Sequence, residues 1–397
     1  MLIRAVINKD LDLTEGFIDK MSLCLMCKAC VVNCPSGVKV DKLVEAARKE
    51  IAEKKGLSPL KKLIFRFVLK NRWVFNTGMR TGRIFQELVF RKGTNGQGML
   101  PRMALGIDKR RLLSPLAPKP FKSIYPEIVK VPDAKMRVAF FTGCMINFIY
   151  MDTGKAVINV LKRHGVEVVI PALQNCCGAP VRINGDYEPA IAMAKANIDV
   201  LLEEEVDAVV VACGTCGLTL KEEYADLLAD DLIYVEKAKR LGSMVKDFTE
   251  LVVSLEGFRD KMGSLPLKVT YHDPCHLIRG LKVKEQPRQI IKSIPGVVFQ
   301  ELNKPDTCCG SGGSFSLYHY ELSSKINDHK VKDINQTGAE VLVTGCSACR
   351  MHIVDGLNRL NLPVKVMHTA QLLEMAYEVK ANPKSCIEHR ISNVDLD

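Results

Sequence analysis

Ten cysteines of this chain fall into two copies of one arrangement: a lone Cys, then Cys-Cys-Gly, then Cys-x-x-Cys. The first copy is Cys144, Cys176-Cys177-Gly178 and Cys213-x-x-Cys216. The second is Cys275, Cys308-Cys309-Gly310 and Cys346-x-x-Cys349. Matching positions are offset by 131, 132, 132, 133 and 133 residues, so the unit that carries the pattern was duplicated as a whole. Whatever folds around the first five thiols must fold again around the second five.

At 397 residues, with 47% hydrophobic and 25% charged, the chain has globular composition and length for two or three cores. The first residues, MLIRAVINKDLDLTEG, meet charge too early for the apolar stretch of a secretory signal. No uncharged apolar run reaches the roughly 18 residues of a spanning helix. The expected location is the cytoplasm, with a peripheral seat on the inner face of the membrane as a second expectation. Disulfides do not persist there, and closely spaced cysteines bind metal or do redox work.

A separate run lies upstream: Cys24-x-x-Cys27-x-x-Cys30-x-x-x-Cys34-Pro35. Three thiolates spaced by two residues can wrap one face of an iron–sulfur cube, and the trailing Cys-Pro turns the chain away. Structural zinc instead uses two separated pairs. In proteins with two such runs the fourth Cys serves the other cluster. With one run here, either Cys34 closes its own cluster or a fourth ligand comes from elsewhere; Cys386, outside every motif, is a candidate, and its bland alternative is a free thiol in a tail.

Residues 54–130 carry 18 Lys and Arg against three acidic residues, so the basicity of the chain, net +11, belongs to this connector. Within it LKKLIFRFVLKNRWVF (60–75) suits a basic amphipathic helix, able to lie on an anionic membrane, dock an acidic partner, or rest its apolar face on the domains that follow. No recognition motif or stacking aromatic pattern accompanies the charge, so nucleic acid is not expected as a partner.

From residue 136 onward, short apolar β-branched runs alternate with helical patterns. MRVAFFTGC, VEVVIP and DAVVVAC in the first copy are restated as LKVTYHDPC, VVFQEL and AEVLVTGC in the second. Buried strands separated by helices imply parallel α/β units. Cys144, Cys213, Cys275 and Cys346 are expected at strand ends, where open α/β sheets gather ligands.

Five thiols overfill a zinc tetrahedron, whereas a four-iron cluster opened out from the cube, with one thiolate bridging two irons, can use all five. His272 and His276 of HDPCH are candidates to supply a proton nearby or to act as structural hydrogen-bonding residues. GSGGS (310–314) lacks the Lys-Ser/Thr of a phosphate loop, and no Gly-x-Gly-x-x-Gly follows a strand. Hydride chemistry would therefore need a flavin or nicotinamide on another chain.

These residues reach a known family. CLMCKACVVNCPSGVKVDKL, the repeated CCG and Cys-x-x-Cys, HDPCHL with a following QPR and IPGV, and CCGSGGS resemble the iron–sulfur subunits of glycolate oxidase and the catalytic subunits of heterodisulfide reductase, over residues 18–377. Members normally carry two ferredoxin-type runs, and this chain looks like the second with the first missing. The resemblance implies an α/β fold: a small helical ferredoxin-like 4Fe-4S segment (1–52), a basic, partly helical connector (53–135), two duplicated cysteine-rich parallel α/β domains (136–258 and 266–380) and a tail (381–397). It implies one 4Fe-4S cluster of ferredoxin type and two non-cubane 4Fe-4S clusters. The expected function is electron transfer from an FAD-containing 2-hydroxyacid dehydrogenase subunit, of glycolate or D-lactate type, to a quinone or another acceptor. Completeness of both repeats favours the alternative, reduction of a disulfide at paired clusters.

Overall fold

The computed structural model describes residues 2–93, 98–103 and 106–382, so Cys386 lies outside the described residues. The N-terminal segment is helical, with helices Leu2–Ile7, Glu15–Ser22, Ala29–Val32 and Val40–Lys54. Thr14 caps the second by accepting from the Phe17 N–H. Phe17, Met21, Met26, Val44 and Ala47 close a small core of their own.

The basic stretch of the connector is not one helix. Residues Pro59–Lys62 lead into a π-helical Leu63–Leu69, and a new helix, Arg72–Val89, begins where the Asn71 side chain accepts the N–H groups of Trp73 and Val74. Phe65 is buried in the core of the first repeat, Arg66 grips Asp186 at 2.9 and 3.0 Å, and Lys70 reaches Glu188 at 2.6 Å. Part of the expected amphipathic face therefore rests on the protein itself. Leu60, Leu63, Phe67 and Trp73 stay exposed. A hairpin follows, β1 (Phe90–Lys92) antiparallel to β2 (Met99–Pro101).

The first repeat builds a sheet from β3 (Ile128–Val129), β4 (Met136–Phe141), β5 (Val166–Val169), β6 (Ala208–Val211) and β7 (Val245–Asp247), in the order β3-β5-β4-β6-β7. Only the short β3 runs antiparallel to its neighbour. The second repeat builds β8 (Lys268–His272), β9 (Val298–Phe299), β10 (Val341–Thr344) and β11 (Lys365–His368), all parallel, in the order β11-β10-β8-β9. Matched strand for strand, β5-β4-β6-β7 and β9-β8-β10-β11 are one topology twice. The strands read as continuous apolar runs because helices cover both faces; every residue of β6 and β10 is buried. The expected α/β class with parallel sheets holds.

The two sheets share one core. Val138, Phe140, Ile158 and Leu161 of the first repeat and Val269, Tyr271, Ile291 and Leu372 of the second belong to a single buried cluster. The last helix, Thr369–Ala381, packs on Met151–Arg163 of the first repeat. Arg350 adds an ion pair to Asp152 at 2.9 Å across the same boundary.

One local expectation needs correction. Cys144, Cys213, Cys275 and Cys346 follow the strands rather than end them: β4 stops at Phe141 and β8 at His272, Cys144 lies in the first turn of the helix Gly143–Phe148, and Cys275 is the N-cap of the π-helix His276–Leu281. Cys213 and Cys346 are the N-cap residues of Gly214–Leu218 and Ser347–Arg359. The break comes early because the chain must turn into the helix that aims each thiol over the sheet edge.

Candidate functional site

In each sheet the strand order reverses between the first and third strands of the repeat, β4 and β6 or β8 and β10. A crevice opens at that point beyond the carboxyl ends. Cys144 and Cys213 flank the crevice of the first repeat, and Cys275 and Cys346 that of the second. The Cys-Cys-Gly loops arrive from β5 and β9. Gly178 and Gly310 hold φ of 82° and 88°, and a Cβ on Gly310 would stand 2.8 Å from the Ser323 carbonyl oxygen. Only glycine turns the loop there. Asn197 and Asn327 donate from Nδ2 to the carbonyls of Cys176 and Cys309 at 3.0 and 2.9 Å, holding the first cysteine of one loop and the second of the other.

These asparagines were not among the expected site residues. Their signal is a Lys-x-Asn at 195–197 and again at 325–327, in the same helix of each copy.

All ten repeat cysteines line one cavity of about 360 Å³. Within the first repeat Cys216 and Cys177 stand 3.6 Å apart, Sγ to Sγ, and across the boundary Cys213 and Cys346 stand 3.9 Å apart. Every cysteine among the described residues is a free thiol. Those separations bracket the roughly 3.8 Å edge of a tetrahedron with metal–sulfur bonds of about 2.3 Å. The cavity wall is otherwise mostly apolar, with Arg111 and His276 among its polar members.

The thiols compete for protons. Cys176 is held well below the ordinary thiol range by hydrogen bonds from Cys144 and Cys177, and Cys309 by Cys308 and Cys349. Cys144 is pushed up by its bond to Cys176 and by burial, and Cys349 by Cys309 and Cys346. A buried set of this kind cannot ionise fully unless a cation is present, and iron in a sulfide cluster is such a cation. The donor set fits.

The N-terminal run sits against the second repeat. Cys27 is pushed up chiefly by a hydrogen bond with Cys308, and Cys24 and Cys27 both raise Cys30 after burial does. The Cys34 sulfur accepts the Val38 N–H at 3.3 Å. His276 reaches the Met26 carbonyl at 3.1 Å and Thr215 at 3.2 Å, while Arg279 donates to the Cys27 carbonyl at 2.9 Å. Arg48 clasps the other side, donating to the carbonyls of Met21 and Cys24, both at 2.7 Å. Met26 and Lys28 adopt φ of 55° and 59°, turning the loop between the first cysteines.

A family model described as a cysteine-rich domain, CCG, matches residues 138–221 and again 269–354. The probable glycolate oxidase iron-sulfur subunit of Bacillus subtilis is 33% identical over 381 residues, 94% of this chain and 86% of that protein. Lactate utilization protein A of the same organism is 35% identical over 238 residues, covering 60% of this chain and 99% of that one. One of the subunits of the CoM/CoB fumarate reductase of Methanothermobacter marburgensis is 36% identical over 242 residues, 61% of this chain; the match spans 46% of that relative's length.

Proposed function

Because the chain belongs to the family of CCG-domain iron–sulfur oxidoreductase subunits that includes the glycolate oxidase iron-sulfur subunit, we propose that it is the electron-transfer subunit of a flavin-linked 2-hydroxyacid dehydrogenase. The substrate is of glycolate or D-lactate type, and the FAD sits on a partner chain. In this reading Cys24, Cys27, Cys30 and Cys34 hold a 4Fe-4S cluster. Cys144, Cys176, Cys177, Cys213 and Cys216 hold a second centre, and Cys275, Cys308, Cys309, Cys346 and Cys349 a third, both of non-cubane 4Fe-4S type. When bound, the centres supply one-electron transfer between a two-electron flavin and a quinone or other acceptor.

The observation that carries the reading is the contact of Cys27 with Cys308. It joins the N-terminal run to the thiols of the cavity, which continue through Cys346 and Cys213 into the first repeat. Arg279 and His276 hold the Cys27 loop in that contact by its carbonyls, so the spacing is set by backbone rather than by mobile side chains. Burial of Cys176, Cys177, Cys213, Cys309, Cys346 and Cys349 keeps bulk water from most of the set.

The test is anaerobic reduction. Glycolate or D-lactate added to the complex with its flavoprotein should bleach the visible absorption of this chain and raise its paramagnetic signals, and the isolated chain should not respond. Reduction of the isolated chain by the hydroxyacid, or silence of the flavoprotein complex toward both acids, would contradict the proposal.

A second reading is favoured by the single cavity walled by both sets of thiols. A disulfide held there would take two electrons and two protons and leave as two thiols. Release of thiol from a small disulfide by the chemically reduced chain, without any partner, distinguishes this activity from relay alone.

A further inference from the structure

The two repeats match in their thiols but differ immediately behind them. His272, the last residue of β8, is wholly buried, and one of its ring nitrogens and the sulfurs of Cys309 and Cys349 all lie within 4.8 Å of one another. At the corresponding end of β4 the first repeat has Phe141. A structural histidine at such a place would be expected to spend its nitrogens on hydrogen bonds, since a buried ring nitrogen without a partner costs about 1–3 kcal/mol. Both Nδ1 and Nε2 of His272 lack a partner.

Neighbouring polar groups are already engaged. Asp273 receives Arg288 at 2.8 and 2.9 Å, and Lys330 donates to the Lys304 and Pro305 carbonyls, the latter at 3.4 Å. The Pro305 carbonyl also acts on the His272 ring, though outside hydrogen-bond geometry. Histidines that bind metal ordinarily turn their second N–H toward such a carbonyl, which fixes the tautomer.

We propose that His272 is a nitrogen ligand to an iron of the centre in the second repeat, which makes that centre chemically distinct from its thiol-matched twin in the first. The proposal rests on the iron–sulfur reading of the repeats. The three donor atoms are close enough to share one ion, yet His272 makes no direct hydrogen bond to either sulfur, so an atom placed between them satisfies all three. Replacing thiolate by imidazole in an iron–sulfur centre raises its potential. The second-repeat centre is therefore the one at which electrons come to rest, and it borders both Cys27 and the cavity.

The experiment uses the full chain with its centres, purified without oxygen and labelled with 15N only in histidine. Pulsed electron paramagnetic resonance should show the hyperfine coupling of a directly bound histidine nitrogen on one centre only. His272→Phe, which copies the first repeat, should abolish the coupling and lower that centre's midpoint potential. His276→Gln, which alters a ring held by Thr215 and Met26, should leave the coupling intact. Absence of bound-nitrogen coupling in the unsubstituted chain with full iron and sulfide overturns the proposal, and so does its survival in His272→Phe. The unsubstituted measurement decides even if His272→Phe loses its centre or fails to fold. Absence of iron and sulfide from the unsubstituted chain would overturn instead the reading on which the proposal stands.

Discussion

Cys213 and Cys346, equivalent residues of the two repeats, face each other Sγ to Sγ at 3.9 Å across the repeat boundary. Thr215, two positions beyond Cys213, also lies 3.7 Å from the Cys346 sulfur, and the Gly214 N–H donates to the Gly345 carbonyl at 3.1 Å. The duplicated units thus meet through the turns that carry Cys213 and Cys346.

Serine substitutions separate what each repeat does alone from what the pair does together. Cys177→Ser should remove the paramagnetic signal of the first repeat and Cys309→Ser that of the second, each leaving the other and the N-terminal signal in place. Cys213→Ser or Cys346→Ser should instead disturb the signals of both repeats. Loss of both repeat signals on changing Cys177 alone would favour one shared centre over two.

Asp247 offers a test of stability against pH that is independent of metal. It caps the helix Phe248–Ser254, accepting the Thr249 N–H at 2.8 Å, but its Oδ2 has no partner, and burial pushes its carboxyl from 3.8 up to about 7. Between those values the folded chain keeps a proton that the unfolded chain has released. Stability therefore falls as pH rises through the window, by up to about 1.4 kcal/mol per pH unit. Asp247→Asn keeps the accepting oxygen and removes the charge. Denaturant melts should show it more stable by up to about 4 kcal/mol near pH 8, with the difference closing toward pH 4. An unchanged difference at both ends would show that Asp247 is not strained by burial.

The duplicated strands were legible because buried parallel strands write themselves as apolar β-branched runs, as in residues 208–211 and 341–344. The short β7 and β11 were not anticipated: VKD and KVMH mix charged and polar residues with the apolar ones and make no continuous apolar run. Nor does any local signal show that Phe140 and Leu372 share one core, since that packing is decided by residues more than 200 positions apart. Packing between residues that are not neighbours in the chain likewise hid the contact of Cys27 with Cys308 and the approach of His272 to Cys309 and Cys349. The motif spacing names the thiols, and only the fold shows which of them meet.

The connector predicts where the protein works. Lys70 and Glu188 form an exposed pair, so reversing Lys70 should cost at most about 1 kcal/mol of stability and leave external binding largely intact, whereas reversing Arg66 leaves the buried Asp186 beside a like charge and should cost more. Leu60, Leu63, Phe67, Trp73, Ile84 and Leu88 of the connector are all exposed, and Arg80 is exposed on the same helix as the last three. Phe67→Glu with Trp73→Glu should weaken binding to anionic vesicles or to the flavoprotein more than Lys70→Glu does. Salt should weaken the electrostatic part as the screening length falls from about 10 Å at 0.1 M to about 3 Å at 1 M. Vesicle sedimentation and flavoprotein co-purification across a salt series distinguish the two destinations. Among the described residues no helix is long and apolar enough to cross a membrane.

Metal analysis tests the central claim most directly, namely that the fourteen motif cysteines hold iron–sulfur centres. Protein purified without oxygen should contain iron and acid-labile sulfide at about four of each per centre, or roughly twelve of each per chain. Stoichiometric zinc without sulfide would contradict the account.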